Sequence, residues 1–125
     1  MIYGIGTDLV EPSRIKRSLD RYGDKFARRI LTENEWQDYQ KSSKPVLFLA
    51  SRFAAKEAFS KAIGTGLRHP VNLGSITIVH DSLGKPYFEF RSELKQMLNQ
   101  KGIVGHYLSI SDEMSMACAF VVLEQ

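Results

Sequence analysis

Apolar residues recur at two different spacings along this chain, and the change of spacing falls near its middle. In the first half they recur every three or four residues, as in Ile15, Leu19 and Tyr22, which is the period of an amphipathic helix. Pro12 fits the first turn of a helix, and Gly23 is placed to end one. We predict helices over residues 12–22, 24–31, 32–40 and 46–63.

In the second half the spacing becomes an alternation, which is typical of strands. We predict strands over residues 75–80, 87–90, 107–112 and 116–123, and a helix over residues 92–100. A further short strand opens the chain and ends near Asp8, and its glycines, Gly4 and Gly6, indicate close approach of another backbone or side chain. The expected fold is α+β, with mostly antiparallel strands.

The last predicted strand is apolar on both of its faces. One face carries Met116, Cys118, Phe120 and Val122, and the other carries Ala117, Ala119, Val121 and Leu123. A strand of this kind must be covered on both sides. The pattern leaves two sources for the second cover, helices of the same chain or another subunit. In this run we expect Cys118 to be a buried, inert thiol.

Composition limits the class of protein. A length of 125 residues predicts a single domain over residues 1–125, and a net charge of +3 is too small to indicate nucleic-acid binding. One cysteine excludes an intramolecular disulfide and a cysteine metal cage. No segment resembles a signal peptide or approaches the roughly 20 apolar residues of a membrane span. We therefore expect a cytoplasmic protein that binds neither nucleic acid nor membrane.

Candidate chemistry lies on the longest predicted helix. Phe53, Glu57 and Lys61 follow each other at intervals of four and share one row of the helix. A carboxylate and an ammonium one turn apart can serve a phosphate site, with the carboxylate holding a hard cation such as Mg²⁺. Asp8, at the end of a strand, is a second carboxylate of this kind. The plain alternatives are a surface ion pair for Glu57 and Lys61, and a turn former for Asp8.

Two further features allow a functional and a purely structural interpretation. Gly64 and Gly66 permit approach of a ligand to the backbone, or simply end the helix, and no Walker P-loop is present. Arg14, Arg17 and Arg21 share a helical face that is separate from the apolar stripe. Such a face docks an acidic partner or is merely solvated.

These segments, taken together and in order, resemble the holo-acyl-carrier-protein synthase family of the 4′-phosphopantetheinyl transferase superfamily. The resemblance rests on two main blocks, residues 4–11 (GIGTDLVE) and residues 52–62 (RFAAKEAFSKA). Weaker matches are residues 32–36, 64–68 and 83–86, and a strand of the type seen at residues 106–112. The family is α+β, with a mostly antiparallel sheet packed against a long central helix and shorter helices, and its small members are homotrimers with active sites between subunits.

The resemblance implies a reaction and the residues that serve it. The family transfers 4′-phosphopantetheine from coenzyme A to a serine of acyl carrier protein, releases adenosine 3′,5′-bisphosphate and supports fatty acid biosynthesis. By this resemblance Asp8 and Glu57 bind Mg²⁺, and Lys61 contacts the pyrophosphate of coenzyme A. Arg14 and Arg21 meet the carrier protein, and Arg17 is added on helical geometry alone. The proton acceptor stays open between Glu57 and a metal-coordinated water.

The contacts to the rest of coenzyme A are less defined. The residues in or beside family-like segments that we expect to bind it are Lys44, Arg52, Lys61, Gly64, Gly66, Lys85, Pro86 and His106. The cations Lys44, Arg52, Lys85 and His106 are the candidates for its 3′-phosphate. If His106 does not contact the 3′-phosphate, the alternative for this lone histidine, which shares a strand face with Leu108, is a hydrogen-bonded structural residue. Two other classes remain as alternatives, a non-catalytic module that binds nucleotide or carrier protein and a small nucleic-acid-binding domain.

Overall fold

Every helix and strand predicted from the sequence is present in a computed structural model of the chain, which describes residues 1–125. The elements follow the order β1 (Ile2–Val10), α1 (Pro12–Tyr22), α2 (Asp24–Ile30), α3 (Glu33–Lys41), α4 (Pro45–Ile63), β2 (Ile76–His80), β3 (Pro86–Phe90), α5 (Ser92–Gln100), β4 (Gly105–Glu113) and β5 (Met116–Glu124). The α+β prediction is therefore confirmed. No helix is long and apolar enough to cross a membrane.

Local signals in the sequence explain where the helices begin and end. Thr32 and Glu35 form a capping box at the start of α3, in which Glu35 Oε1 accepts the Thr32 backbone N–H at 2.9 Å. The helices α1 and α4 begin with proline in the first turn. Each then ends at a glycine with positive φ, Gly23 at 63° and Gly64 at 87°.

The strands form two separate antiparallel sheets. β2 pairs with β3 in a two-stranded sheet, and β1, β5 and β4 form a three-stranded sheet with β5 in the centre. The predicted final strand pair thus gains β1, whose Asp8 lies opposite Ala119 of β5. The inner face of the three-stranded sheet packs against α4, which is buried through alanines such as Ala54, Ala58 and Ala62.

Two glycines set the distance between β1 and α4. A Cβ atom at Gly4 would overlap the carbonyl oxygen of Ala62, and one at Gly6 would overlap the carbonyl oxygen of Ala58. The close approach inferred from these glycines is therefore confirmed, and the approaching group is the backbone of the long helix. Because of this contact, Asp8, in the last part of β1, lies beside the C-terminal half of α4.

The outer face of the three-stranded sheet is not covered by any element of the chain. Its exposed apolar side chains come from all three strands: Ile5, Leu9, Tyr107 and Phe120. Leu9 is 65% exposed and Phe120 is 43% exposed. The chain's own helices therefore cover only one face of β5. They do not supply the second cover, which the sequence left open between helices of the same chain and another subunit.

The prediction of a buried Cys118 was wrong for the single chain, and one residue of the apolar stripe of α1 is exposed. Tyr22 is exposed rather than part of the buried stripe, because it is the last residue of α1 and the chain turns away at Gly23. Its ring lies 5.3 Å from the Arg21 guanidinium. Cys118 is only half-buried, because its side chain projects from the outer face of the sheet, opposite Leu9.

Candidate active site

Asp8 and Lys61 form a contact between β1 and α4. The Lys61 ammonium donates to Asp8 Oδ1 at 3.1 Å and to the Thr7 carbonyl oxygen at 2.9 Å. The Asp8 side chain is largely buried, whereas the Lys61 side chain is 53% exposed. A lysine ammonium has three N–H donors, so one donor of Lys61 remains for a ligand that arrives from solvent.

Glu57 lies one helical turn before Lys61 on α4. Burial raises the pKa of Glu57, the nearby Asp8 carboxylate raises it further, and Lys61 opposes the shift. Asp8 and Glu57 are therefore close enough for their negative charges to repel each other. The structure brings together the three residues Asp8, Glu57 and Lys61, which the sequence could relate only by pattern.

The two carboxylates Asp8 and Glu57 suit a magnesium ion that is also bound by substrate phosphates and waters, rather than a metal bound by protein side chains alone. No group of three or more histidine, cysteine, aspartate or glutamate side chains is placed to hold a metal. Mg²⁺ is commonly bound by one or two carboxylates, with substrate phosphates and waters filling its other positions. Asp8 and Glu57 supply two such carboxylates, and the neighbouring Lys61 supplies a cation for the same phosphates.

A second candidate site lies around the N-terminal half of α4. A cavity of about 300 Å³ is bounded by α4, the β2–β3 turn and the end of β4, and Lys44, Arg52 and Pro86 are among its lining residues. The Arg52 guanidinium packs over the Phe48 ring at 4.0 Å. Its Nε lies 3.7 Å from Glu35 Oε2. Three residues assigned to coenzyme A by resemblance therefore share one cavity.

Other residues assigned to coenzyme A do not line this cavity in the single chain. Gly64 and Gly66 lie beyond the C-terminal end of α4, near Lys61, and their backbone N–H groups both donate to the Ser60 carbonyl oxygen at 3.2 Å. Lys85 is exposed in the β2–β3 turn, which is held by hydrogen bonds from the backbone N–H groups of Leu83 and Lys85 to Asp81.

His106 also lies away from the cavity, at the start of β4. Its ring meets the Phe90 ring edge-on at a centroid distance of 5.0 Å. Burial lowers the pKa of His106. Its Nδ1 atom is buried and has no hydrogen-bond partner in another residue.

Comparison with known proteins identifies the family. The family model of the 4′-phosphopantetheinyl transferase superfamily matches residues 4–119, which include Asp8, Glu57 and Lys61. A holo-[acyl-carrier-protein] synthase of Nitrosomonas europaea is 65% identical over the whole of both chains. The chain belongs to the 4′-phosphopantetheinyl transferase superfamily.

Solved structures agree with this family membership. A holo-[acyl-carrier-protein] synthase from Neisseria meningitidis is 50% identical, with a TM-score of 0.97 and complete coverage of both chains. A holo-(acyl-carrier-protein) synthase from Bacillus anthracis, in complex with CoA (3′,5′-ADP), is 42% identical, with a TM-score of 0.82. The match covers 98% of this chain and 96% of that one. The resemblance inferred from the two sequence blocks is confirmed.

This transferase-superfamily chain also carries the basic helical face predicted from the sequence. Arg14, Arg17 and Arg21 are all exposed on α1, which contacts α4 and buries Ile15. The following helix, α2, adds further exposed cations, Lys25, Arg28 and Arg29. The surface formed by α1 and α2 is therefore more basic than the net charge of the whole chain indicates.

One buried ionic cluster of this transferase was missed by the sequence analysis. Lys56 is 0% exposed and donates to Glu35 Oε1 at 2.6 Å, to the Ile30 carbonyl oxygen at 2.6 Å and to the Leu73 carbonyl oxygen at 2.9 Å. A lysine inside an alanine-rich buried helix was the available signal. Glu35 carried no comparable signal, because its contact with Lys56 joins residues of two helices that are distant in the sequence.

Proposed function

We propose that Asp8, Glu57 and Lys61 form the centre at which this chain transfers 4′-phosphopantetheine from coenzyme A to a serine of apo-acyl carrier protein, with all 125 residues acting as one domain. The observation that carries the proposal is the contact of the Lys61 ammonium with Asp8 beside the Glu57 carboxylate. Relatives named holo-[acyl-carrier-protein] synthase that match the full chain support the reaction.

The proposed chemistry is a displacement at phosphorus. The serine hydroxyl oxygen forms a bond to the β-phosphorus of coenzyme A, and the bond from that phosphorus to adenosine 3′,5′-bisphosphate breaks. Asp8 and Glu57 would hold Mg²⁺, which when bound offsets negative charge on the pyrophosphate. Lys61 keeps one N–H donor free and adds a fixed positive charge beside the same oxygens. The serine proton has two acceptors in this proposal, the Glu57 carboxylate and a water oriented by Asp8 or Glu57.

The cavity at the N-terminal half of α4 is suited to the adenosine end of coenzyme A. Lys44 and Arg52 supply two cations for the 3′-phosphate, and Pro86 supplies an apolar wall. Arg52 and Glu57 are five residues apart on α4, which turns their side chains about 140° from each other. The cavity and the Asp8 centre therefore face different sides of one chain, which supports a site assembled from two neighbouring copies.

We extend the proposal to a homotrimer, because the uncovered face of the three-stranded sheet needs a cover. Leu9 projects from this face one residue after Asp8, so a copy that covers the face also borders the centre. The basic surface of α1, with Arg14, Arg17 and Arg21, is the proposed dock for the acidic carrier protein. The product would supply fatty acid biosynthesis in the cytoplasm.

The decisive experiment is a transfer assay followed by intact mass. The chain is incubated with apo-acyl carrier protein, coenzyme A and Mg²⁺, and the carrier is expected to gain the mass of one 4′-phosphopantetheine. A parallel reaction with a chelator in place of Mg²⁺ should show no gain, and restored Mg²⁺ should restore it. An unchanged carrier mass in the complete reaction would favour the non-catalytic binding module.

A further inference from the structure

Glu35 is a buried carboxylate that joins several elements of the fold. Its Oε1 accepts from Lys56 Nζ at 2.6 Å and from the Thr32 backbone N–H at 2.9 Å. Its Oε2 accepts from the Ile78 backbone N–H at 2.9 Å. Contacts from α4, β2 and the start of α3 therefore restrict the position of both carboxylate oxygens.

Arg52 meets this carboxylate only through one edge of its guanidinium. Nε lies 3.7 Å from Glu35 Oε2, which is an ionic distance rather than a hydrogen bond, and Nε has no hydrogen-bond partner. The plane of the guanidinium is fixed from another side by the Phe48 ring at 4.0 Å. Because the Nε edge faces Glu35 and the side chain lines the cavity, the terminal N–H groups remain for a ligand there.

The charges of the cluster do not balance. Lys56 and Arg52 are both cations, and Glu35 is the carboxylate that they share. Lys56 has all three N–H donors satisfied, by Glu35 and two carbonyl oxygens, and is fully buried. Its charge therefore holds Glu35 in place. Arg52 stays at the cavity wall with its Nε facing Glu35 at 3.7 Å, and Asp38 is a further carboxylate near it.

We propose that Glu35 and Lys56 are positioning residues that hold the Arg52 guanidinium at the cavity wall, so that this pair governs selectivity for the 3′-phosphate of coenzyme A without touching it. This inference rests on the proposed function, in which Arg52 meets that phosphate. Without Lys56, the Glu35 carboxylate would pair fully with Arg52 and draw the guanidinium away from the cavity. A shorter carboxylate at position 35 would leave the Nε edge unsupported.

The test compares coenzyme A with dephospho-coenzyme A as substrates for Glu35→Asp and Lys56→Met. Glu35→Asp keeps the charge but retracts the carboxylate. Lys56→Met removes the ammonium that holds Glu35 in place but leaves Glu35 paired with Arg52. Each variant is expected to lower the preference for coenzyme A, measured as the ratio of the two kcat/KM values, about five- to tenfold. Its KM for coenzyme A should rise, and its kcat should change little. Glu33→Asp and Lys95→Met, both at exposed positions, serve as matched controls.

A purely structural role predicts a different result. Loss of folded protein lowers both rates on the same preparation equally, so it cancels in the ratio. A wild-type ratio in Glu35→Asp and Lys56→Met, together with a reduced ratio in Arg52→Gln, would overturn the positioning role and leave the Arg52 contact standing. An unchanged ratio in Arg52→Gln would overturn both the positioning role of Glu35 and Lys56 and the contact of Arg52 with the 3′-phosphate. Transfer to carrier protein by the wild type would still support the proposed reaction.

Discussion

Lys61 Nζ lies 3.1 Å from Asp8 Oδ1, although the two residues are 53 positions apart in the sequence. The contact depends on the glycines of β1, because only a strand without Cβ atoms at positions 4 and 6 can approach the backbone of α4 so closely. Glu57 lies on α4 one turn before Lys61, and its pKa is raised by burial and by the Asp8 carboxylate. Two carboxylates and an ammonium are thus concentrated where a strand meets a helix.

The two carboxylates are predicted to be essential for turnover but not for folding. Asp8→Asn and Glu57→Gln should each lower kcat/KM about a hundredfold or more, because each removes charge that the phosphate chemistry requires. Excess Mg²⁺ should partly restore Asp8→Asn. The exposed Glu93→Gln serves as the control, and circular dichroism checks the fold. Near-normal rates in both variants would show that the metal assignment is wrong.

Lys61 is predicted to act through its charge and compact shape. Lys61→Ala should lose about 2–4 kcal/mol of transition-state stabilisation, as for other preorganised charge contacts. Lys61→Arg should recover only part of this loss, because a planar guanidinium does not reproduce the geometry of an ammonium that also holds Thr7 and Asp8. Steady-state kinetics with coenzyme A measures the effect, and an unchanged rate for Lys61→Ala would refute the role.

Gly6 is predicted to be required for both the stability and the activity of the protein. Gly6→Ala places a methyl group against the carbonyl oxygen of Ala58, so β1 must move away from α4. We expect a loss of about 1–3 kcal/mol in the free energy of unfolding, measured with urea, and a larger proportional loss of activity because Asp8 moves with the strand. Gly74→Ala, which meets no atom within 4 Å, is the matched control. Equal stability of the two variants would contradict the tight contact.

The uncovered sheet face is predicted to form the subunit interface. Light scattering of the wild type should give the mass of a trimer. Phe120→Lys should dissociate it, because a charge in the centre of this face loses its hydration when a copy covers it. Leu83→Lys replaces an apolar residue that is more exposed, in the β2–β3 turn, and should leave the mass unchanged. A monomer mass for the wild type at working concentration would exclude the homotrimer.

The basic face of α1 is predicted to speed association with the acidic carrier protein. Reversing Arg14 and Arg21 to glutamate should raise KM for carrier protein and leave KM for coenzyme A nearly unchanged, because the Asp8 centre is separate. Salt screens such charges over about 8–10 Å, so the wild-type rate should fall more steeply with added salt than that of the double variant. Matching salt curves for the two proteins would indicate a merely solvated face.

The local structure of this chain could be predicted from its sequence because the signals are local. The capping box at Thr32, the proline at the start of α1 and the glycines after α1 and α4 act within one or two turns of the backbone. The two family-like blocks likewise lie in short segments, and the family resemblance that they carry was confirmed. The candidate roles of Asp8, Glu57 and Lys61 rest on these blocks and remain predictions.

Contacts between distant segments were decided by the tertiary structure alone. Periodicity shows that β5 is apolar on both faces, but only the packed chain shows that α4 covers one of them. Gly4 and Gly6 indicated a close neighbour, and the fold identified it as α4. The partners of Glu35 and Lys56 also come from separate elements, since a buried charge is stable only where several backbone and side-chain groups converge on it. Such convergence depends on how elements pack in three dimensions, which residue spacing along the chain does not encode.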